Sequence, residues 1–311
     1  MGLAAGIDFG GTSAKMGLVE EDGRICCKTS VPLELSIVFE QVVEKVSDGL
    51  RGLLSAAKKP ITTIGIGTPG FIDKHEGVVI GGSENIPSMQ GHSIQNELSR
   101  IFGVPAFAEN DATAAAAGEL IYGAGRRFSN FVLITLGTAI GGGFVFDGHV
   151  YRGWRGFAGE VGHICVVPDG LWCNCGSRGC FEQYASGKSI AELYASKLRK
   201  RGRDGAVEVT AKLVVDGALR DDPLAIDTLE EAGRWIAQAF GTMLNVLDLE
   251  ACLVGGGVSE AGDILLEPIR RRLPDFCWRT IVDGVQVVAA ELRNDAGILG
   301  AAAQAVERMG A

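Results

Sequence analysis

Basic residues are in the minority in this chain, and no apolar run is as long as a membrane span. The sequence has 29 lysines and arginines against 38 aspartates and glutamates, for a formal net charge of −9 over 311 residues. Binding to a nucleic-acid backbone requires a basic surface, so this balance argues against a nucleic-acid partner. The apolar run 131–146 covers sixteen residues and contains four glycines. A membrane-spanning helix needs about twenty apolar residues, so we expect no membrane partner.

The amino terminus lacks the features of a secretory signal. Its first residues, MGLAAGIDFGG, contain no basic residue and soon reach Asp8. A signal peptide has a basic start and a longer apolar segment, so we expect a cytoplasmic protein. Cysteines stay reduced in that compartment, which argues against disulfides. Aromatic residues are sparse at 7%, but 47% hydrophobic and 22% charged residues are typical of a globular protein.

The pattern of apolar residues predicts alternating strands and helices in both halves of the chain. In the first half the predicted strands include 4–8, 14–19 and 25–31. A helix is predicted to start near Phe39 with Ser36 as its cap, and another to open on Asp111. The second half begins with a strand pair around a glycine turn, 130–137 and 141–148. This order predicts an α/β protein of two domains with mixed sheets, divided near residues 122–127.

Two glycine-rich turns have the composition of phosphate-binding loops. They are DFGGTSAK, residues 8–15, and LGTAIGGG, residues 136–143, and each lies between two predicted strands. The tip of such a hairpin presents backbone N–H groups and a hydroxyl with little side-chain bulk, which suits a phosphate. Each turn could also be a tight hairpin without a ligand, but their matching places favour a phosphate clamp. The segment GIGTPG, residues 65–70, has the spacing of a dinucleotide fingerprint but no following helix, so we reject that interpretation.

Four of the eight cysteines and one of the four histidines are concentrated in one segment, HICVVPDGLWCNCGSRGC, residues 163–180. His163, Cys173, Cys175 and Cys180 supply one nitrogen and three sulfurs, the ligand set of a closed, structural zinc site. Buried free cysteines or a redox pair are the alternatives. We interpret the other cysteines as core residues: Cys26, Cys27, Cys165, Cys252 and Cys277.

Asp111 follows a predicted strand and begins a predicted helix. A carboxylate in this place could act as a general base toward a substrate hydroxyl. It could equally cap the helix N-terminus, because aspartate is a favoured capping residue. The spacing alone leaves both interpretations open.

Seven motifs, in this order, resemble the ROK family of sugar kinases and sugar-sensing repressors. They are DFGGTSAK, TPG, ENDATAAAAGE, LGTAIGGG, GFAGEVGH, CNCGSRGCFE and GGGVSE. The resemblance covers nearly the whole chain. It implies the actin-like ATPase fold, in which two ribonuclease-H-like domains bind ATP and sugar in the cleft between them. It also implies that the C-terminal helix, 298–311, joins a first domain of residues 1–122, which leaves 123–297 as a larger domain with the zinc loop.

The resemblance also implies a role for each matching residue. The catalytic base is placed on Asp111. Sugar contacts are placed on Gly70, Asn85, Asn110, Asp111, Glu160, His163 and Glu182. Nucleotide contacts are placed on Asp8, Gly10, Gly11, Thr12, Lys15, Gly137, Thr138, Gly255, Gly256 and Gly257. The implied cofactors are Mg²⁺ with ATP, near Asp8, and a structural Zn²⁺ held by His163, Cys173, Cys175 and Cys180.

Two departures from the family pattern affect these expectations. Ala139 stands where the family has a second glycine after the threonine. Alanine resists positive φ, so either its φ is negative or the phosphate loop differs. Ile86 and Ser88 replace the leucine and the glycine of the family's Asn-Leu-Pro-Gly segment, which leaves the sugar less certain.

The predicted function is ATP-dependent phosphorylation of a hexose at its 6-hydroxyl, with glucose as the first expectation. An N-acetylmannosamine or N-acetylglucosamine kinase is the alternative, and fructose or a polyphosphate donor is less favoured. A sugar-responsive repressor is disfavoured, because the first strand starts close to Met1 and the net charge is negative. An actin-like ATPase that is not a kinase would need neither the zinc loop nor the paired carboxylates. The family resemblance implies a homodimer or homotetramer.

Overall fold

The computed structural model describes residues 2–202 and 208–310. The strands are β1 Leu3–Phe9, β2 Ser13–Val19, β3 Ile25–Pro32, β4 Ile61–Thr68, β5 Phe71–Ile72, β6 Val79–Gly81, β7 Ala106–Asn110, β8 Phe131–Leu136, β9 Ile140–Phe146, β10 His149–Tyr151, β11 Ala251–Gly255 and β12 Gln286–Ala289. The α-helices are α1 Phe39–Ala57, α2 Ile94–Phe102, α3 Asp111–Tyr122, α4 Glu182–Ala185, α5 Gly187–Lys200, α6 Ala211–Ala218, α7 Pro223–Leu247, α8 Asp263–Arg272, α9 Arg279–Val282 and α10 Ala296–Met309.

The chain divides into two compact units. The first unit consists of Met1–Arg127, Gly143–Gly159 and Asn294–Ala311, and the second of Phe128–Gly142 and Glu160–Arg293. Among the described residues, no helix combines the length and apolar character that a bilayer crossing requires.

The first unit is built on a five-stranded sheet with the order β3-β2-β1-β4-β7. Strands β1, β2 and β3 form an antiparallel meander, whereas β4 runs parallel to both β1 and β7. The carboxyl ends of β1, β4 and β7 therefore lie along one edge. Residues that follow these three strands, including Asp111 after β7, are brought to that edge.

Helix α10 packs directly on this sheet because glycines let the backbones approach. A Cβ atom on Gly6 of β1 would overlap the carbonyl of Ile298, and one on Gly65 of β4 would overlap that of Ala301. On its other side Gly300 lies against the backbone of Ala114 in α3. The small-residue pattern of the C-terminal helix thus has a packing purpose.

The second sheet has the order β10-β9-β8-β11-β12, and the boundary between the units passes through β9. Strand β11 is parallel to both β8 and β12, and all five of its residues are buried. The long helix α7 buries a continuous apolar face in the second unit, as its 3.6-residue pattern predicts.

Two expectations about this architecture are wrong. Helix α1 is capped at Val38 without a side-chain hydrogen bond, so Ser36 is not its cap. Cys26 and Cys165 are exposed, and Cys27 is only partly buried, whereas Cys252 and Cys277 lie in the core. Cys26 is exposed because successive residues of β3 alternate between an exposed and a partly buried position.

Candidate active site

Two acidic side chains meet at the sheet edge of the first unit. Asp8 near the end of β1 pairs in register with Gly67 of β4, which pairs with Glu109 of β7. A Cβ atom on Gly67 would lie 3.7 Å from the Cα atom of Asp111. Because Gly67 has no side chain, nothing on β4 screens Asp8 from Asp111.

The carboxyl groups of Asp8 and Asp111 both hold their protons more tightly than usual. Burial, followed by the nearby charge of Asp111, raises the pKa of Asp8 from 3.8 to about 6, although Lys15 acts in the opposite direction. Burial also raises the pKa of Asp111, while the N–H of Ala112 lowers it. The residue as a whole nevertheless keeps an exposed surface.

The cap of helix α3 is Asn110 and not Asp111. The Oδ1 atom of Asn110 accepts hydrogen bonds from the N–H groups of Ala112 at 3.0 Å and Thr113 at 3.2 Å. Its Nδ2 donates to the carbonyl of Gly70 at 3.2 Å. Asp111 also accepts from Ala112, at 2.8 Å, through a single oxygen. The capping role that the sequence left open for Asp111 therefore falls mainly to its neighbour.

The β1–β2 turn presents an open backbone surface in the same unit. Gly10 closes the turn by donating its N–H to the carbonyl of Ser13 at 2.9 Å. Gly10, Gly11 and Thr12 are all exposed. A Cβ atom on Gly11 would lie 3.4 Å from that of Asn85, so Asn85 and the turn are neighbours.

The second unit brings its two glycine turns together. Gly256 has φ +81°, and a Cβ atom there would come within 2.6 Å of the backbone of Leu136, which precedes Gly137 and Thr138. The N–H of Gly187, the first residue of α5, donates to the Gly137 carbonyl at 2.7 Å. Ala139 does not adopt positive φ, so the first of the two alternatives for this residue holds. Gly255 is buried and Gly257 is exposed.

His163, Cys173, Cys175 and Cys180 form one cluster, whose ligand atoms all lie within 4.8 Å of one another. The Sγ atoms of Cys175 and Cys180 are 3.5 Å apart, and so are the Sγ atom of Cys173 and Nδ1 of His163. Around a tetrahedral ion with bonds of about 2.3 Å, neighbouring sulfurs lie about 3.8 Å apart. The donor set and its spacing therefore fit a four-coordinate metal ion.

Two carboxylates flank this cluster. The Cys173 thiol lies 3.0 Å from Oε1 of Glu182, which is also 3.9 Å from Nδ1 of His163. On the other side of the imidazole, Oε2 of Glu160 is 3.7 Å from Nε2. His163 is thus oriented with Nδ1 toward the thiols and Nε2 toward Glu160, so that both carboxylates surround one ring.

Some residues at the first unit's sheet edge could not be recognised from the sequence. Gly67 lies against Asp111 and Gly297 against Asp8, and their only signal was a glycine within an apolar segment. Arg152 and Glu109 form an ion pair beside Asn110, at a separation of 43 residues. No local pattern connects residues so far apart in the chain.

Comparisons with known proteins give matches over almost the whole chain. The model of the ROK family matches residues 4–308. The chain is 36% identical to a glucokinase of Thermotoga maritima over 312 residues, which cover 98% of each protein. It is also 36% identical to a glucokinase of Streptomyces coelicolor, over 97% of each chain.

A solved structure extends the likeness to three dimensions. It is a ROK family glucokinase from Streptomyces griseus in complex with glucose and AMPPNP. Its TM-score is 0.85 at 34% identity, and the alignment covers 98% of this chain and 100% of the other. The fold class predicted from the sequence is confirmed by this likeness.

Proposed function

The chain belongs to the ROK family, and on that premise we propose that it is a glucokinase, which transfers the γ-phosphoryl group of ATP to the 6-hydroxyl of glucose. The observation that carries this proposal is the 36% identity to two glucokinases over at least 97% of each chain. Almost the whole of each chain has a counterpart in the other, which supports the same reaction class for this protein.

Asp111 is the proposed general base. Phosphoryl transfer needs a group that orients the attacking hydroxyl and accepts its proton. A carboxyl whose pKa is raised by burial is a better proton acceptor than an ordinary aspartate. Asn110 holds the helix start behind it, and the second N–H of its Nδ2 amide group would donate to a sugar hydroxyl.

Asp8 and the β1–β2 turn are the proposed triphosphate side of the first unit. The open backbone at Gly11 and Thr12 would donate N–H groups to phosphate oxygens, while Gly10, whose own N–H closes the turn, would leave room for them. Asp8 would face the Mg²⁺ that accompanies ATP, because a carboxylate is a ligand that this cation prefers. Lys15 lies opposite Asp8 in the strand pair and would supply positive charge.

The second unit is proposed to contact both substrates. Gly137 and Thr138 would contact phosphates, and the neighbouring turn Gly255–Gly257 would contact the nucleoside. Glu160, Glu182 and His163 would bind sugar hydroxyls, because carboxylates accept the paired O–H donors of a hexose. Asn85 and Gly70 are the proposed sugar contacts from the first unit.

We assign the Cys/His cluster to zinc in a structural role. Three thiols and an imidazole suit zinc, and four protein ligands leave no coordination position for a substrate. The bound ion would fix the orientation of His163 and Glu182 for sugar binding. Because the exposed Cys26 and Cys165 are free thiols outside the cluster, as is typical of a reducing compartment, we also propose a cytoplasmic location. The two domains predicted from the sequence and a homo-oligomeric state remain proposals.

A substrate panel tests the function. Purified protein is assayed with Mg-ATP against glucose, mannose, fructose, N-acetylglucosamine and N-acetylmannosamine, and then with polyphosphate as donor. We expect glucose to give the highest kcat/KM and the product to be the 6-phosphate by NMR. A preference for an N-acetylated hexose would replace glucose as the substrate. Absence of phosphorylation on every sugar, in protein shown to be folded, would refute the kinase assignment.

A further inference from the structure

A buried carboxylate connects the candidate base to an arginine that the proposed reaction does not use. The side chain of Glu109, at the end of β7, is only 4% exposed. Its Oε2 atom accepts from Nε of Arg152 at 2.5 Å. Its Oε1 atom accepts from the backbone N–H of Asn110 at 3.2 Å. Both oxygens are therefore engaged, one by a guanidinium and the other by the residue that precedes Asp111.

Arg152 is held from several directions, so its position is well defined. Its Nη2 atom donates to Oε2 of Glu307 in α10 at 2.7 Å, and its Nη1 atom donates to the carbonyl of Val150 at 3.3 Å. Only 18% of the side chain is exposed. Arg308 of the same helix stacks on Phe107 of β7, 4.8 Å from the ring centroid. Helix α10 thus supports the arginine while the arginine supports the strand end.

Stability alone gives no reason for a buried ion pair at this place. Removing two charges from water costs several kcal/mol, and apolar residues of similar volume often serve as well or better. What a buried ion pair does provide is direction, because a guanidinium fixes the plane of the carboxylate that it binds. Here the plane of the Glu109 carboxylate determines where its Oε1 atom accepts from the backbone N–H of Asn110, at the turn from β7 into α3.

We propose that Arg152 and Glu109 are positioning residues for phosphoryl transfer. Arg152 orients the Glu109 carboxylate, and this carboxylate accepts a hydrogen bond from the backbone N–H of Asn110. The position of that backbone N–H then sets the direction in which the chain continues to Asp111. The inference rests on the proposed function, since it assumes that Asp111 is the base. A displacement of about 1 Å at a reacting group can lower turnover about a hundred-fold, so a device of this kind has a measurable effect.

Steady-state kinetics of Glu109→Gln and Arg152→Lys test the proposal, after wild-type turnover of glucose has been established. Glutamine keeps the shape of Glu109 without its charge, and lysine cannot reproduce the fixed geometry of the guanidinium. We expect kcat to fall about ten- to a hundred-fold in both variants. KM for ATP is expected to stay within about two-fold, because the nucleotide contacts are untouched. Wild-type kcat in both variants would overturn the proposal.

Glu307→Gln is the matched control, because it removes the other carboxylate from the same guanidinium. It should lower the Tm by less than Glu109→Gln does, because Glu307 is less buried, and leave kcat within about two-fold of wild type, since Arg152 keeps its bonds to Glu109 and Val150. Equal losses of kcat in Glu307→Gln and Glu109→Gln would overturn the proposal.

The double variant Glu109→Gln/Arg152→Met separates positioning from stability. It removes both buried charges together, so the Tm should recover relative to Glu109→Gln. If the residues position Asp111, kcat stays low despite that recovery. Recovery of kcat together with the Tm would mean that the pair is merely structural. A wild-type protein without kinase activity would instead refute the proposed function, before any variant is compared.

Discussion

Gly297, in the first turn of α10, lies directly against the carboxyl group of Asp8. A Cβ atom at position 297 would overlap both carboxylate oxygens. The approach places the N-terminal end of a fourteen-residue helix beside an acidic group, where the helix dipole favours negative charge. The last helix of the chain therefore lies against a site residue from the first strand.

Substitution of Gly297 should reduce activity while leaving most of the fold intact. In Gly297→Ala the new methyl group must displace Asp8 or shift the first turn of α10. We expect kcat/KM for Mg-ATP to fall about ten-fold or more, since reacting groups tolerate little displacement. Steady-state kinetics with varied ATP would measure this.

Gly52→Ala is the control for this substitution. Gly52 lies on the open side of α1, where a methyl group added to it would have no neighbouring atom within 4 Å. Alanine should stabilise the helix by about 0.5–1 kcal/mol without affecting kinetics. If Gly297→Ala behaved like Gly52→Ala in the activity assay, α10 would have no influence on Asp8.

Asp111→Asn should abolish most turnover without unfolding the protein. General-base catalysis contributes about 10²–10⁴-fold, and an amide cannot accept the proton. The helix start should survive, because the cap is Asn110 and its bonds to Ala112 and Thr113 are unchanged. We expect kcat for glucose to fall within that range, while calorimetry gives a glucose Kd close to wild type. Turnover within a few-fold of wild type would exclude Asp111 as the base.

The sequence predicted most of the elements correctly because their signals are local. Short apolar runs on either side of a glycine turn marked β1 and β2, and the start of α3 at Asp111 was correct to the residue. The identity of its cap could not be predicted, because asparagine and aspartate are nearly equal as capping residues and stand side by side here. Only the directions of the side chains distinguish Asn110 from Asp111.

The members of the candidate site that could not be predicted depend on long-range packing. A glycine that matters for close approach looks the same in sequence as one in a flexible turn, and Gly67 and Gly297 are of the former kind. The pairing of Glu109 with Arg152 depends on how β7 lies relative to the segment after β10. The burial of the cysteines was also ambiguous from the sequence, since Cys26 lies in a strand of mostly apolar residues but on its exposed face.

The raised pKa of Asp8 should make the folded state less stable as pH increases. The folded-state pKa is about 6 against 3.8 for the ordinary group. Between these values the folded state binds more protons than the unfolded state, so the free energy of unfolding falls as pH rises from about 4 to 6. Asp8→Asn removes this contribution. It should therefore be about 1–3 kcal/mol more stable than wild type at pH 7, and have no such advantage below pH 4.

Urea unfolding of both proteins at several pH values measures this difference. Asp48→Asn is the control, because Asp48 is on the surface, where it pairs with Arg51. Its stability relative to wild type should not depend on the pH in this way. If Asp8→Asn raised the free energy of unfolding equally at pH 4 and pH 7, the ionisation of Asp8 would not be the cause of the increase.

Loss of one thiol from the Cys/His cluster should remove the metal and weaken sugar binding together. Cys175 lies 3.5 Å from Cys180, whereas the exposed Cys165 lies outside the cluster although its backbone pairs with that of Cys180. We expect wild-type protein and Cys165→Ser to contain one zinc per chain, and Cys175→Ser to contain almost none.

Without the ion, Glu182 and His163 lose their fixed orientation, so KM for glucose should rise about ten-fold or more while KM for ATP changes less. Elemental analysis with parallel kinetics measures both effects. Wild-type protein expressed with zinc but purified without any metal would contradict the zinc assignment, and an unchanged glucose KM in Cys175→Ser would separate the cluster from sugar binding.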